Sequence, residues 1–287
     1  MSDAPPPPDQ IDGAPHPRET ARLFGQDAAE AAFLSAFNAG RLHHGWLLTG
    51  PRGVGKATLA WRIARFLLAT PETDDDGLFG APPPPATLDV DPQHPVAHRL
   101  LAGSDPGLAS ITRSVNEKTG RMRDEIVVDD IRALNRFFGL SAADGGRRVV
   151  IVDCADEMNV SAANALLKML EEPPARTTLL LISHRPSGLL PTIRSRCRTL
   201  RLSPLGPDDM RAALAQAGAE PPEQAEHLAA LAAGSVGAAL RLTALNGLGI
   251  YAELMAVLNS LPRLDRPRAL ALAEAAAQRG AADRFDL

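Results

Sequence analysis

Residues 50–60 read GPRGVGKATLA, after the short apolar run WLLT at 46–49 and ahead of an Ala- and Leu-rich segment. The stretch follows the phosphate-cradling pattern G-x-x-x-x-G-K plus a hydroxyl residue at every place but the last, where Ala57 stands. In such a loop the backbone N–H groups between Gly50 and Lys56 wrap phosphates, and the following helix adds its positive dipole end. Lys56 pairs with the outer phosphates, and the next residue gives magnesium an oxygen. Ala57 has none to give. Thr58 lies one helical step further, rotated by about 100°, and is a poor substitute. A strand–loop–helix setting supports a nucleotide-binding-type loop; the plain alternative is a glycine-rich turn with a solvated lysine.

Working outward, RRVVIVDCAD at 147–156 sets four β-branched residues before Asp153. Such a run suits a parallel strand buried on both faces, and an aspartate at its end would orient magnesium through water. Hydrolytic versions of this element continue with a glutamate that polarises the attacking water. Cys154 holds that position, and a neutral thiol is a poor base. It reads as a small buried hydrophobe, and Asp156 and Glu157 as solvated or capping residues.

Helical spacing predicts a helix over 19–37, stopped near Gly40, and another over KATLAWRIARFLLA, 56–69. Residues 71–95, rich in Pro, Asp and Gly, read as a surface loop. LASITR (108–113) reads as a strand, 119–126 as a turn, and VDDIRALNRFFGL (128–140) as a helix capped by Asp129. A helix from Ser161, stopped by Pro173, precedes a buried strand, TTLLLISH. A short helix in SGLLPTIRSRCRTLRL leads to the last strand. Alternating strands and helices imply an open parallel sheet with ligands at its carboxyl edge. Beyond residue 204 only helical patterning remains. The expected organisation is a disordered Pro-rich tail (1–17), a nucleotide-binding-type domain (18–204), a helical lid (205–246) and a shortened helical region (247–287), with a break near 245–249.

The chain has 287 residues, 45% hydrophobic and 22% charged, which suits about two domains. Aromatic residues make up only 4%, so Ala, Leu, Val and Ile must form the core, a composition that favours helix. The net charge of -4 argues against this chain being the main grip on DNA, since that grip comes from neutralising phosphates. Two cysteines, Cys154 and Cys197, make no disulfide framework. The opening MSDAPPPPDQ lacks a signal peptide's apolar core, and no apolar run is long enough to cross a bilayer. A soluble cytoplasmic chain with no membrane partner is expected.

SRC at 195–197, following LLPTIR, and NALLKMLEEPP at 164–174 join the loop and the Asp153 strand in an order that resembles the clamp-loader branch of the AAA+ ATPases. Within it, GRLHHGWLLTGPRGVGKATLAWRIARFLL at 40–68 resembles the bacterial delta-prime subunits of DNA polymerase III, and the likeness spans 18–241. The resemblance implies an α/β AAA+ P-loop domain with a parallel sheet, a small helical lid domain and the start of a helical collar domain. It implies a five-membered ring that opens the sliding clamp and places it on primed DNA. In such rings ATP sites lie between neighbours, and the SRC arginine, Arg196 here, reaches into the adjacent site to stabilise charge on the γ-phosphate. A disarmed pocket with an intact arginine describes a stator.

By the same resemblance, Ser183 is the polar sensor near the γ-phosphate, while His184 reads as packing or loop-facing. A G-S-x-R element is broken, with Gly237 in place of the arginine and Arg241 read as solvated. No cysteine lies between 65 and 152, so the four-cysteine zinc module of many relatives should be absent, and His94 and His98 are too few for zinc. The candidate nucleotide-binding residues are Gly50, Gly53, Gly55, Lys56, Thr58, Asp153 and Ser183, and no metal ligand is assigned; Arg196 is expected to act in trans, the plain alternative being an ordinary surface arginine crowded with Arg194, Arg198 and Arg201. ATP or ADP, with magnesium only alongside nucleotide, are the implied cofactors. Gamma/tau- and delta-type subunits, the clamp indirectly, and primer-template DNA through the assembly are the implied partners. One alternative is an active ATPase subunit of the same loader, but positions 57, 154 and 237 all speak against hydrolysis. Another is an unrelated kinase, which leaves SRC unexplained.

Overall fold

In the computed structural model, residues 8–11, 13–70, 83–140, 146–219 and 225–277 are described. Helix α1 (Asp27–Asn38) precedes β1 (Gly45–Thr49), whose five residues are all buried, and α2 (Lys56–Ala69) leaves the glycine loop. Then come α3 (Pro95–Leu101), β2 (Leu108–Ile111), α4 (Val128–Leu140), β3 (Arg148–Val152), α5 (Val160–Glu171) and β4 (Thr177–Ser183). The short α6 (Pro191–Arg194) leads to β5 (Arg198–Arg201). All pairings are parallel, in the order β2-β3-β4-β1-β5. The fully buried β4 and almost fully buried β3 occupy the interior of the sheet. β5, with only Leu200 buried, is an edge strand.

Side chains alternate across a strand, so the sheet needs cover on both faces. Leu47, Val150, Val152, Leu179 and Leu181 join one cluster with Ile131 and Leu134 of α4 and Leu166 and Leu170 of α5. Elsewhere Trp46 meets Phe33 of α1 with ring centroids 4.9 Å apart, and the Arg198 guanidinium lies over Trp46. Helix α2, with Leu59, Ile63, Phe66 and Leu67 buried, packs against β1, β3 and β4.

Four local expectations need correction. The helix expected from residue 19 starts at Asp27, because Gly25 takes a left-handed φ of 68° and breaks the run; Leu23 and Phe24 precede it. Asp129 lies in the first turn of α4, not at its cap, and the neighbouring Asp130 carboxylate accepts the Val127 N–H at 2.8 Å. Helix α5 starts one residue early, at Val160, because Asn159 caps it through the Ala162 N–H. The loop expected over 71–95 gives way at Pro95 to helix α3, in a stretch the patterning left unassigned: Pro95 fixes the first turn and His94 Nδ1 accepts the Val96 N–H. The tail also departs from disorder near its end. Asp9 pairs with the buried His16 at 3.0 Å, and His16 sits edge-on to Trp61. Residues 1–7 and 12, and the part of the expected loop at 71–82, lie outside the described residues.

The chain divides into two compact units, one taking in Pro15–Ser203 and the other Ile11–Ala14 with Pro204–Leu287. In the second unit the elements are all helical: α7 (Pro207–Gln216), α8 (Ala225–Leu231), α9 (Val236–Ala244), α10 (Gly247–Asn259) and α11 (Arg266–Ala277). Met210, Leu214, Leu228 and Ala239 form its buried centre. Asn246, in the left-handed region, marks the break between α9 and α10. Among the described residues no single helix is long and apolar enough to cross a membrane.

Candidate functional site

Three strands deliver the site residues to one edge. The carboxyl end of β1 opens into the glycine loop, β3 ends at Asp153 and β4 at Ser183. Gly50, Gly53 and Gly55 all take positive φ, at 146°, 72° and 97°. A Cβ at Gly50 would stand 2.5 Å from the Leu202 carbonyl oxygen, and one at Gly55 2.5 Å from Leu23 Cδ1. Backbone shape demands all three glycines, and at Gly50 the Leu202 backbone excludes a side chain as well. Lys56 starts α2, is buried, and donates from Nζ to the Gly50 carbonyl at 2.7 Å and to the Pro51 carbonyl. Burial pushes its ammonium down to about 8, against the opposing pull of nearby groups including Asp153 and Asp156.

Gln26 is a site-building residue that sequence patterning missed. Its buried amide donates to the Val54 carbonyl in the loop at 3.2 Å and to the Ser203 carbonyl at 2.7 Å, and accepts the Ser203 N–H. It ties the loop to the segment leaving β5.

The acidic turn after β3 is committed to structure. Asp156 accepts the N–H groups of His184 and Arg185, anchoring the exit of β4. Glu157 bridges Arg52 of the loop and Arg113 after β2, each at 3.0 Å, so it is ion-paired rather than solvated. Cys154 is not an isolated core thiol. Its S–H donates to Asp153 Oδ1 at 3.1 Å, and Sγ lies 3.0 Å from His184 Nε2. His184 thus belongs to the site rather than to loop packing. Burial pushes the Cys154 thiol up, with the Asp153 carboxylate adding to the effect, so it stays neutral. Asp153 is held up to about 6 by burial, and the imidazole of His184 down to about 4 by burial and the nearby cations Lys56 and Arg52. Ser183 Oγ is buried without a hydrogen-bond partner.

The loop and Lys56 fit phosphate groups, with the orphaned Ser183 hydroxyl at the same edge available to a ligand oxygen. Fit to magnesium is poorer. Ala57 has no ligand atom, Thr58 is half-buried one helical step further along α2, and Asp153 already accepts the Cys154 S–H.

Arg196 lies at the other edge. A Cβ on Gly45, the first residue of β1, would meet the Arg196 carbonyl oxygen at 3.1 Å. The guanidinium pairs with Glu171 at 2.9 Å and donates to the Thr192 carbonyl. A five-residue strand separates it from the loop, roughly 16 Å at about 3.3 Å per residue. In the second unit, Ser235 caps α9 through the Ala238 N–H, Gly237 is buried and Arg241 is exposed.

Residues 25–206 match the family model described as DNA polymerase III, delta subunit. This chain belongs to that family. It is 38% identical to DNA polymerase III subunit delta' of Pseudomonas aeruginosa over 77% of its own length. It is 32% identical to the gamma/tau subunit of Mycobacterium bovis over 70% of its length. The chain spans 61% of that delta' relative and 31% of the gamma/tau relative. Among solved structures it is similar to a DNA polymerase III gamma subunit-related protein of Thermotoga maritima, at 22% identity and a TM-score of 0.41, covering 87% of this chain and 68% of that one. The α/β AAA+ expectation for the first unit accords with its parallel sheet and flanking helices. The matched span holds the loop, the Asp153 edge and the SRC arginine together, so all three are family territory.

Proposed function

We propose that this chain is a delta-prime, stator-type subunit of a DNA polymerase III clamp loader, working in the cytoplasm to help place the sliding clamp on primed DNA. It would not turn over ATP itself and would present Arg196 to a neighbouring gamma/tau-type subunit. The reading rests chiefly on the separation of Arg196 from its own loop: at the amino edge of β1, it is out of reach of any phosphate held beside Lys56. An arginine so placed could serve a neighbouring chain's site. The Glu171 pair holds it meanwhile and would have to open on assembly.

The pocket supports the same reading. Cys154, not a carboxylate, directly follows Asp153, and the acidic residues of the turn are engaged elsewhere, Glu157 with two arginines and Asp156 with two backbone N–H groups. ATP or ADP would be held by loop N–H groups, Lys56 and Ser183, with magnesium weakly bound. Delta- and gamma/tau-type subunits are the proposed direct partners; the clamp and primer-template DNA are reached through the assembly. The test is steady-state ATP turnover by the purified chain with magnesium, beside Lys56→Ala. Turnover equal to that of the variant supports the stator. Turnover that Lys56→Ala abolishes overturns it.

A further inference from the structure

We propose that Asp153, Cys154 and His184 form a binding site for a borderline-soft divalent transition-metal ion, with zinc its natural representative. The parallel register of β3 and β4 sets their carboxyl ends side by side and brings residues thirty positions apart to one point. Sγ of Cys154 lies 3.1 Å from Asp153 Oδ1 and 3.0 Å from His184 Nε2, and one ligand atom from each residue falls within 4.8 Å of the others. Donors on a tetrahedral zinc ion, with bonds of about 2.0–2.3 Å, stand roughly 3.5 Å apart. Lengthening the two contacts of Sγ by about half an ångström would bring them to that spacing. None of the three residues is fully buried.

The donor set selects the ion class. One thiolate, one imidazole and one carboxylate suit zinc or cobalt, whereas magnesium asks for an octahedron of oxygens. Binding balances simply: the metal–sulfur bond forms as the S–H bond breaks, one proton leaves to water, and no oxidant or reductant takes part. The ion's two positive charges then meet two negative ligands. His184 is free for the task, since its Nε2 meets only the thiol and its buried Nδ1 has no hydrogen-bond partner. Three protein ligands leave the fourth tetrahedral position to water or another oxygen donor. This set is distinct from the four-cysteine module that the sequence lacks.

The experiment is a cobalt(II) titration of the tag-free, chelator-stripped full chain, followed by absorption, with zinc added at the end. We expect one equivalent to bind with a thiolate-to-cobalt charge-transfer band, about one proton to be released per ion, and zinc to erase the band. Cys154→Ser should remove the band and Cys197→Ser should keep it. His184→Asn should weaken binding by more than about 100-fold, beyond the loss caused by removing a mere hydrogen-bond partner of a ligand. Circular dichroism checks the variants' folding; should Cys154→Ser misfold, the His184→Asn affinity and wild-type proton release decide. Absence of the band, its survival in Cys154→Ser, or affinity unchanged in His184→Asn overturns the site. ATP turnover plays no part in the readout, so failure here leaves the stator reading standing.

Discussion

At the scale of single residues, Gly50 is the most constrained position in the loop. Its φ of 146° and the Leu202 carbonyl 2.5 Å from a would-be Cβ leave no room for a side chain. Gly50→Ala should cost about 2 kcal/mol or more, read as a lower urea midpoint at unchanged slope. His184 and Asp153 make opposite pH predictions. With its imidazole at about 4, below the ordinary 6.5, folded His184 refuses a proton that the unfolded chain accepts, so its contribution falls as pH drops from about 6.5 to 4. Asp153, raised from 3.8 to about 6, takes up a proton in the folded state first, so its contribution grows as pH drops from about 6 to 4. In metal-free protein the two slopes oppose each other. Urea midpoints of His184→Asn should rise on acidification through that window, and those of Asp153→Asn should fall more steeply than wild type. Parallel profiles in all three proteins would refute the assignment.

Between elements, the loop segment before α1, the helices α1 and α2, and the segment before α3 are joined through one side chain. Arg62 of α2 is buried and pairs with Glu30 of α1 at 2.8 Å, with Asp89 at 3.0 Å, and donates to the Ala21 carbonyl. Arg62→Ala would strand Glu30 without its partner. We expect a loss of about 2–4 kcal/mol, somewhat under the penalty for a fully buried pair because Asp89 and, in part, Glu30 keep water. Chemical denaturation measures it, and a loss under about 1 kcal/mol would show the junction to be held by apolar packing alone. These elements also show what patterning reads well. Helix α2 and the strand β3 were legible because each has an uninterrupted local signal: a helical apolar stripe, and a run of β-branched residues. The start of α1 was not, since Leu23 and Phe24 keep the helical spacing while Gly25 leaves it. Leu23 is apolar because it packs against Gly55 of the loop.

For the whole molecule, the decisive contrast lies between the two edges of the sheet. The loop and the Asp153–Cys154–His184 group share the carboxyl edge, and Arg196 lies at the amino edge, bound to Glu171. If Arg196 serves a neighbour, Arg196→Ala should leave this chain's folding and assembly intact while lowering the loader's ATP turnover by about 10³-fold at the site it completes. Turnover per complex in a loader reconstituted with the variant is the measurement. A drop explained by lost assembly, or no drop, would reject the role. In the second unit, Tyr251, Leu254, Leu258 and Leu270 of α10 and α11 stay exposed beside the Glu253–Arg268 pair.

Local sequence carries the order of the five strands and of the first unit's helices except α3, along with the glycine loop, the missing hydroxyl at Ala57, the thiol at Cys154 and the helical character beyond residue 204. Each is carried by residues adjacent in the chain, where periodicity and backbone preference act. Folding alone brings Cys154 to His184, lets Gln26 clasp Ser203 across 177 positions, holds Glu157 between two arginines, and sets Arg196 beside Glu171 at the strand edge opposite its own loop. Parallel strands joined by crossover helices bring distant segments to a common edge. Which side chains meet there depends on strand order and register, and neither is written in any one local stretch.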